Sequence, residues 1–168
     1  MQKIIFSGPV RSGKTTAIHS LSDIAPVSTN KLASDETAKL KKETTVAMDY
    51  GFHIMDNGSK IHLYGTPGQE RFSFMWDVLA KNGTGLVLLF DNTRPDPKQD
   101  LALYIKAFAD FIAETKLIIG VTHTEKQKEP SLEQYSEWLA EYQLTAEVYA
   151  IDAREKEDVK KLVSRLMH

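Results

Sequence analysis

Residues 8–15, Gly8-Pro9-Val10-Arg11-Ser12-Gly13-Lys14-Thr15, spell GxxxxGK(S/T). That spacing suits the cradling of phosphates. Successive backbone N–H groups curl around an anion, and a following helix adds a favourable field at its N-terminus. Gly8 and Gly13 give the loop backbone shapes that a Cβ would obstruct. Lys14 would reach the outer phosphates, and the Thr15 hydroxyl would ligate Mg²⁺. Val10, Arg11, Ser12 and Thr16 complete the expected cradle.

The motif means little unless a strand delivers it and a helix receives it. Lys3 to Ser7 reads as a short buried strand. Thr16 to Leu21 reads as the first turns of a helix. Ile24 to Thr44 is a mostly polar connection, with a short helical turn expected at Asp35 to Leu40. Val46 to Met55 and Lys60 to Tyr64 read as antiparallel strands around Asp56-Asn57-Gly58-Ser59, since Asn-Gly is a strong hairpin signal. Phe72 to Lys81 reads as a helix with Phe72, Met75, Trp76 and Leu79 on one face. Gly85 to Phe90 is a continuous apolar run, as a strand covered on both faces should be. The pattern then predicts a helix at Asp100 to Ala113, a strand at Lys116 to Val121 and a helix at Ser131 to Tyr142. Ser131 and Gln134 fit a capping box for that helix. A strand at Glu147 to Ile151 and a helix at Glu155 to Met167 finish the chain. The last helix carries an apolar stripe of Val159, Leu162, Val163 and Leu166. Its basic residues Lys156, Lys160, Lys161 and Arg165 read as a solvated face.

Six strands interleaved with helices predict an α/β fold. It is an open, mostly parallel sheet with one antiparallel hairpin and helices on both faces, in the P-loop NTPase class. The expected domain is the whole of residues 1–168. Ligands of such sheets sit beyond the carboxyl ends of the strands.

Composition is that of a soluble globular chain: 42% hydrophobic, 26% charged, formal net charge −2. No global field favours nucleic acid or anionic lipid. The chain has no cysteine, which excludes disulfides and thiolate metal sites. Met1-Gln2-Lys3 leads straight into the first strand, no apolar run is long enough to span a bilayer, and the chain shows no lipidation signal. The expectation is a cytoplasmic protein without a direct membrane anchor.

Five stretches in order resemble the small GTPases of the Ras, Rab and Arf type. The resemblance is nearest the bacterial branch that is similar to the gliding-motility GTPase and the signal-recognition-particle receptor beta subunit. The phosphate loop is the first stretch. Thr44-Thr45-Val46-Ala47-Met48-Asp49-Tyr50 resembles switch I, and on that match Thr45 ligates Mg²⁺ and meets the γ-phosphate. Gly65-Thr66-Pro67-Gly68-Gln69-Glu70-Arg71-Phe72 resembles switch II. There Gly68 would offer its N–H to the γ-phosphate, and Gln69 would orient the attacking water. Gly120-Val121-Thr122-His123-Thr124-Glu125 stands at the place of the base-reading loop. Ile151-Asp152-Ala153-Arg154 resembles the loop whose backbone N–H, here that of Ala153, meets the guanine O6, with Asp152 bracing it.

The resemblance implies GTP/GDP and Mg²⁺ as ligands. It implies catalytic roles for Gln69, Lys14 and Thr45, and metal roles for Thr15 and Thr45. A protein regulator or effector, of the roadblock type among others, is implied as partner. Nothing in the sequence names that partner or the oligomeric state.

Three departures from the pattern matter. The family's magnesium-holding Asp is Gly65 here, and Asp91 is either a second-shell substitute or a strand-end cap. The base-reading loop has Thr122, His123 and Glu125 in unfamiliar roles. A carboxylate accepts from guanine N1–H and the exocyclic amine, whereas adenine offers an acceptor at N1. Glu125 is thus either the base reader or part of the solvated run Glu125 to Glu129. Val10 and Arg11 stand where such chains often carry glycine. Val10 would crowd the attacking water; Arg11 is either a surface side chain or a transition-state arginine.

The expected function is a GTP-binding switch with slow, partner-stimulated hydrolysis. A nucleotide-binding scaffold with little hydrolysis is the alternative. A small-molecule kinase ranks behind both, because a hairpin stands where its lid and substrate pocket should be.

Overall fold

The computed structural model describes residues 2–28, 49–67 and 73–167. Its strands are β1 (Gln2–Ser7), β2 (Val27–Ser28), β3 (Asp49–Ile54), β4 (Lys60–Gly65), β5 (Gly85–Asp91), β6 (Lys116–Thr122) and β7 (Glu147–Ala150). The helices are α1 (Lys14–Leu21), α2 (Ser73–Ala80), α3 (Pro97–Ala107), α4 (Ala109–Glu114), α5 (Leu132–Ala140) and α6 (Lys156–Met167). One sheet runs in the order β2-β3-β4-β1-β5-β6-β7. β1 pairs parallel with β4 and β5, and β6 pairs parallel with β5 and β7. β3 is antiparallel to β4, as the hairpin signal predicts. The six expected strands are present, and the two-residue β2 extends the sheet antiparallel to β3. Two residues are too few to show a hydrophobic period, so β2 leaves no sequence signal.

The hairpin turn follows from its residues. Gly58 has φ 88°, a conformation that favours glycine. The Ser59 N–H donates to Asn57 Oδ1 at 2.9 Å, and Met55 and Ser59 close the ladder.

Alternate residues of β5 build two cores, as the period of two requires. Leu86, Leu88 and Phe90 face Trp76 of α2, Leu101 of α3, and Tyr135 and Leu139 of α5. Val87 and Leu89 face Ala17 and Ile18 of α1, and Leu162 and Leu166 of α6. Each such side chain contributes about 1.5–3 kcal/mol by leaving water. The parallel strands are thereby held rigid, and their carboxyl ends form a fixed platform.

The predicted helix at Asp100 to Ala113 differs in two ways. It starts earlier, because Asp96 caps it by accepting from the Gln99 N–H at 3.1 Å and Pro97 takes the first turn. It also divides at Phe108, whose φ is −105°. The Phe108 ring is buried and stacks on Trp76 at 5.5 Å. The predicted capping box of α5 is formed in both directions, Gln134 N–H to Ser131 Oγ and Ser131 N–H to Gln134 Oε1. The turn expected at Asp35 to Leu40, Val46 of the expected strand, and Phe72 lie outside the described residues.

Candidate functional site

The phosphate loop leaves the end of β1 and turns into α1. Gly8 has φ 147° and Gly13 φ 106°. A Cβ on Gly8 would lie 2.1 Å from the Leu89 carbonyl oxygen. Only glycine lets the loop pass so close to β5. A Cβ on Gly13 would lie 3.0 Å from Ala153 Cβ and 3.6 Å from Thr122 Cγ2. Gly13 is therefore where the phosphate loop, the loop after β6 and the loop after β7 converge. Arg11 also has positive φ, 68°, and its side chain is exposed at the rim.

Lys14 is 6% exposed. Its Nζ donates to the Gly8 carbonyl oxygen, to the Pro9 carbonyl oxygen at 2.7 Å and to Ser12 Oγ at 3.4 Å. Burial lowers its pKa to about 7, and the nearby Asp49 charge opposes that shift. The loop thus curls around the ammonium, poised where outer phosphates would lie.

A cavity of about 480 Å³ opens over this loop. Val10, Arg11, Gly13, Lys14, Thr15 and Thr16 line one end. His123, Glu125, Asp152, Ala153 and Arg154 line the other, with Thr122 between. Pro67 closes a third side. A site this size and shape accommodates a nucleotide with its phosphates on α1. Gly8 and Ser12 are buried beneath the loop and give it shape. Thr45, Gly68 and Gln69 lie outside the described residues.

The base-side loops are tied to the phosphate loop. Thr122 is buried, and its hydroxyl donates to the Ser12 carbonyl oxygen at 3.0 Å. It ties the end of β6 to the phosphate loop, and the same hydroxyl lies 3.3 Å from the Phe90 carbonyl oxygen. His123 takes φ 61°, turning the chain so that Glu125 follows into the cavity. Glu125 Oε1 lies 3.9 Å from His123 Nδ1, and the carboxylate is 64% exposed. The Asp152 carboxylate accepts from the Arg154 backbone N–H and from its guanidinium, at 2.9 and 2.7 Å. Those contacts pull the Asp152 pKa down to about 2 and hold Asp152 and Arg154 together. Ser20 of α1 adds a hydroxyl donated to the Ala153 carbonyl oxygen at 2.6 Å.

The second of the two readings of Asp91 holds. Its Oδ1 accepts from the Thr93 N–H and hydroxyl at 2.8 and 2.6 Å, so it caps the loop after β5. At the end of β4, the Ser7 and Thr66 hydroxyls meet at 2.7 Å. The buried Trp76 Nε1 donates to the Pro67 carbonyl oxygen at 3.0 Å. Trp76 stacks on Tyr104 at 4.7 Å. This tryptophan is core; Phe72 and the side chains of Phe74 and Met75 lie outside the described residues.

Two buried residues stand behind the cavity lining: Asp49, to which the switch I stretch assigns no role, and Asn92, which no motif includes. Asp49, at the start of β3, is 2% exposed, and its Oδ2 accepts from the Thr15 hydroxyl at 2.7 Å. Asn92 donates to the carbonyl oxygens of Gln127 and Pro130, each at 2.9 Å, and accepts from the Tyr135 hydroxyl at 2.8 Å. That uses the donors and the acceptor of one amide to hold the loop bearing Glu125.

A family model described as "Conserved hypothetical ATP binding protein" matches residues 6–168. The chain belongs to that family. It is thereby placed among nucleotide-binding proteins, in keeping with the loop and cavity above. It is 33% identical over 98 residues to an uncharacterised protein of Methanocaldococcus jannaschii, covering 58% of this chain and 56% of the other. It is 27% identical over 108 residues to intraflagellar transport protein 22 of Chlamydomonas reinhardtii, covering 64% and 53%. The chain spans about half the length of these curated relatives. A solved bacterial selenocysteine-specific elongation factor, EF-Sec, matches 99% of this chain and 29% of its own, with TM-score 0.64 and 23% identity. That likeness establishes the fold. Among the described residues, no helix is long and apolar enough to cross a membrane.

Proposed function

We propose that this protein is a guanine-nucleotide-binding switch that hydrolyses GTP slowly. The observation that carries the reading is the single cavity joining Lys14 and Thr15 at one end to Glu125 and Ala153 at the other. The phosphate end matches a triphosphate in charge and in its row of N–H donors. The Glu125 carboxylate, which lines the cavity, supports guanine over adenine, because a carboxylate accepts from guanine's two adjacent donors. The family's description names ATP, and the base preference proposed here is a property of this chain's own loop.

In this reading Lys14 turns from the loop carbonyls to the outer phosphates. The Thr15 hydroxyl, with Thr45, holds Mg²⁺, which supplies charge neutralisation when bound. Gln69 orients the attacking water, and Gly68 meets the γ-phosphate with its N–H. Residues 24–45 and 66–76 are the segments that sense that phosphate. Val10 lines the cavity and is 42% exposed; in this reading its branched side chain hinders the water. That observation supports slow intrinsic turnover and stimulation by a protein regulator. It also supports the second reading, a nucleotide-binding scaffold with little hydrolysis. The resemblance to the gliding-motility branch and a roadblock-type partner belong to the same proposal.

Single-turnover GTP hydrolysis in the wild type and in Gln69→Ala tests it. The switch reading expects a slow wild-type rate that drops by roughly tenfold or more in the variant. Equal rates contradict catalysis through Gln69 and leave the scaffold.

A further inference from the structure

We propose that Asp49 supplies the carboxylate for the nucleotide-bound Mg²⁺ that Gly65 lacks. The inference rests on the nucleotide-binding reading and adds the cation's protein ligand.

Asp49 and Gly65 are direct partners across the β3–β4 ladder. A Cβ built on Gly65 would lie 3.6 Å from Asp49 Oδ2. The two positions therefore address one space, and the carboxylate fills it from the neighbouring strand. Asp49 Oδ2 accepts the Thr15 hydroxyl, and Thr15 itself lines the cavity beside Lys14. Asp49 Oδ1 is buried and has no hydrogen-bond partner among the described residues. Buried polar atoms are nearly always satisfied, and an unpaired carboxylate oxygen is among the costliest to leave. Lys14 does not satisfy it, because its Nζ is directed to Gly8, Pro9 and Ser12. A divalent cation does. Mg²⁺ takes hard oxygen ligands, uses one or two carboxylates with phosphate oxygens, and keeps several waters. Asp49 with Thr15 offers that donor chemistry at the phosphate end of the cavity, acting directly or through a bound water.

The rival role is structural: Asp49 merely holds Thr15. Asp49→Asn separates the two, because an amide oxygen still accepts from the Thr15 hydroxyl while the charge is gone. The measurement is the affinity of fluorescent GDP in excess Mg²⁺ and in EDTA. Wild type should bind more tightly with Mg²⁺. Asp49→Asn should lose roughly tenfold or more of that gain, read as the ratio of its own affinities in Mg²⁺ and in EDTA. An undiminished Mg²⁺ gain in the variant overturns the proposal. So does a wild type that binds GDP equally in both conditions, a result that leaves nucleotide binding intact. Folded wild-type protein that binds no nucleotide in either condition overturns the nucleotide reading itself. A second measurement identifies the ligand. Mn²⁺ bound with GDP to protein carrying ¹³C-carboxyl aspartate should show a carbon hyperfine coupling that Asp49→Asn abolishes; no coupling in wild type, or one that survives in the variant, overturns the proposal.

Discussion

The Thr122 hydroxyl donates to the Ser12 carbonyl oxygen at 3.0 Å, joining the loop after β6 to the phosphate loop inside the protein. Both residues are buried, so water cannot replace the contact. Thr122→Val keeps the shape and removes the donor. It should cost about 1–3 kcal/mol of stability, the penalty for an unpaired buried acceptor. Thermal or urea unfolding measures it, and nucleotide affinity should fall alongside.

Gly8 tolerates no side chain. With φ 147° and a Cβ position 2.1 Å from a backbone carbonyl, Gly8→Ala strains the loop and pushes β1 from β5. A loss of at least 3 kcal/mol is roughly expected from combined strain and clash. Gly58→Ala provides the contrast. Its Cβ meets nothing within 4 Å, so only its φ of 88° is strained. Urea unfolding of the two variants should rank Gly8→Ala as the more damaging.

Lys14 links binding to protons. Burial lowers its pKa in the free protein to about 7, so the proton leaves as pH rises through that value. Phosphate oxygens favour the charged form, so binding must take up a proton above pH ~7 and affinity must fall there. Calorimetry in buffers of different ionisation heat reads that uptake directly. The stability sign is opposite. From about pH 7 to the ordinary lysine value of 10.5, the unfolded chain holds a proton that the folded one has lost, so folding stability rises with pH. Lys14→Met removes a buried charge. It should be at least as stable as wild type, yet bind GDP roughly a hundredfold more weakly, the scale of lost charge-assisted hydrogen bonds.

In the proposed function Glu125 reads the base. Glu125→Ala should weaken GDP binding by roughly tenfold and leave ADP binding unchanged. Glu125→Gln should shift preference toward xanthosine diphosphate, because an amide N–H meets the carbonyl that replaces guanine's amine. Competition with fluorescent GDP ranks the four nucleotides.

Much of this site is legible in the chain. Gly8, Gly13 and Lys14 declare themselves by spacing, and the capping box of α5 by residue type. Asp49 is legible in principle. Counting back from the Asn57-Gly58 turn pairs it with Gly65, the position whose carboxylate is missing. The switch I stretch includes Asp49 but gives it no role with the cation, because motifs are read along a strand, whereas this replacement runs across one. Asn92 is less visible. Its three partners, Gln127, Pro130 and Tyr135, lie on one segment far from it in sequence, two of them are backbone carbonyls, and an asparagine after a strand resembles any loop residue. Thr122 belongs to the recognised stretch, but its partner is backbone, which no side-chain pattern reveals.

The most direct measurement is a calorimetric titration of the purified chain with GDP and with ADP, each in Mg²⁺. The account predicts one GDP bound per chain and binding of ADP weaker by roughly a hundredfold, the discrimination expected of a lost pair of hydrogen bonds. Folded protein that ignores both nucleotides, or that binds ADP as tightly as GDP, contradicts it.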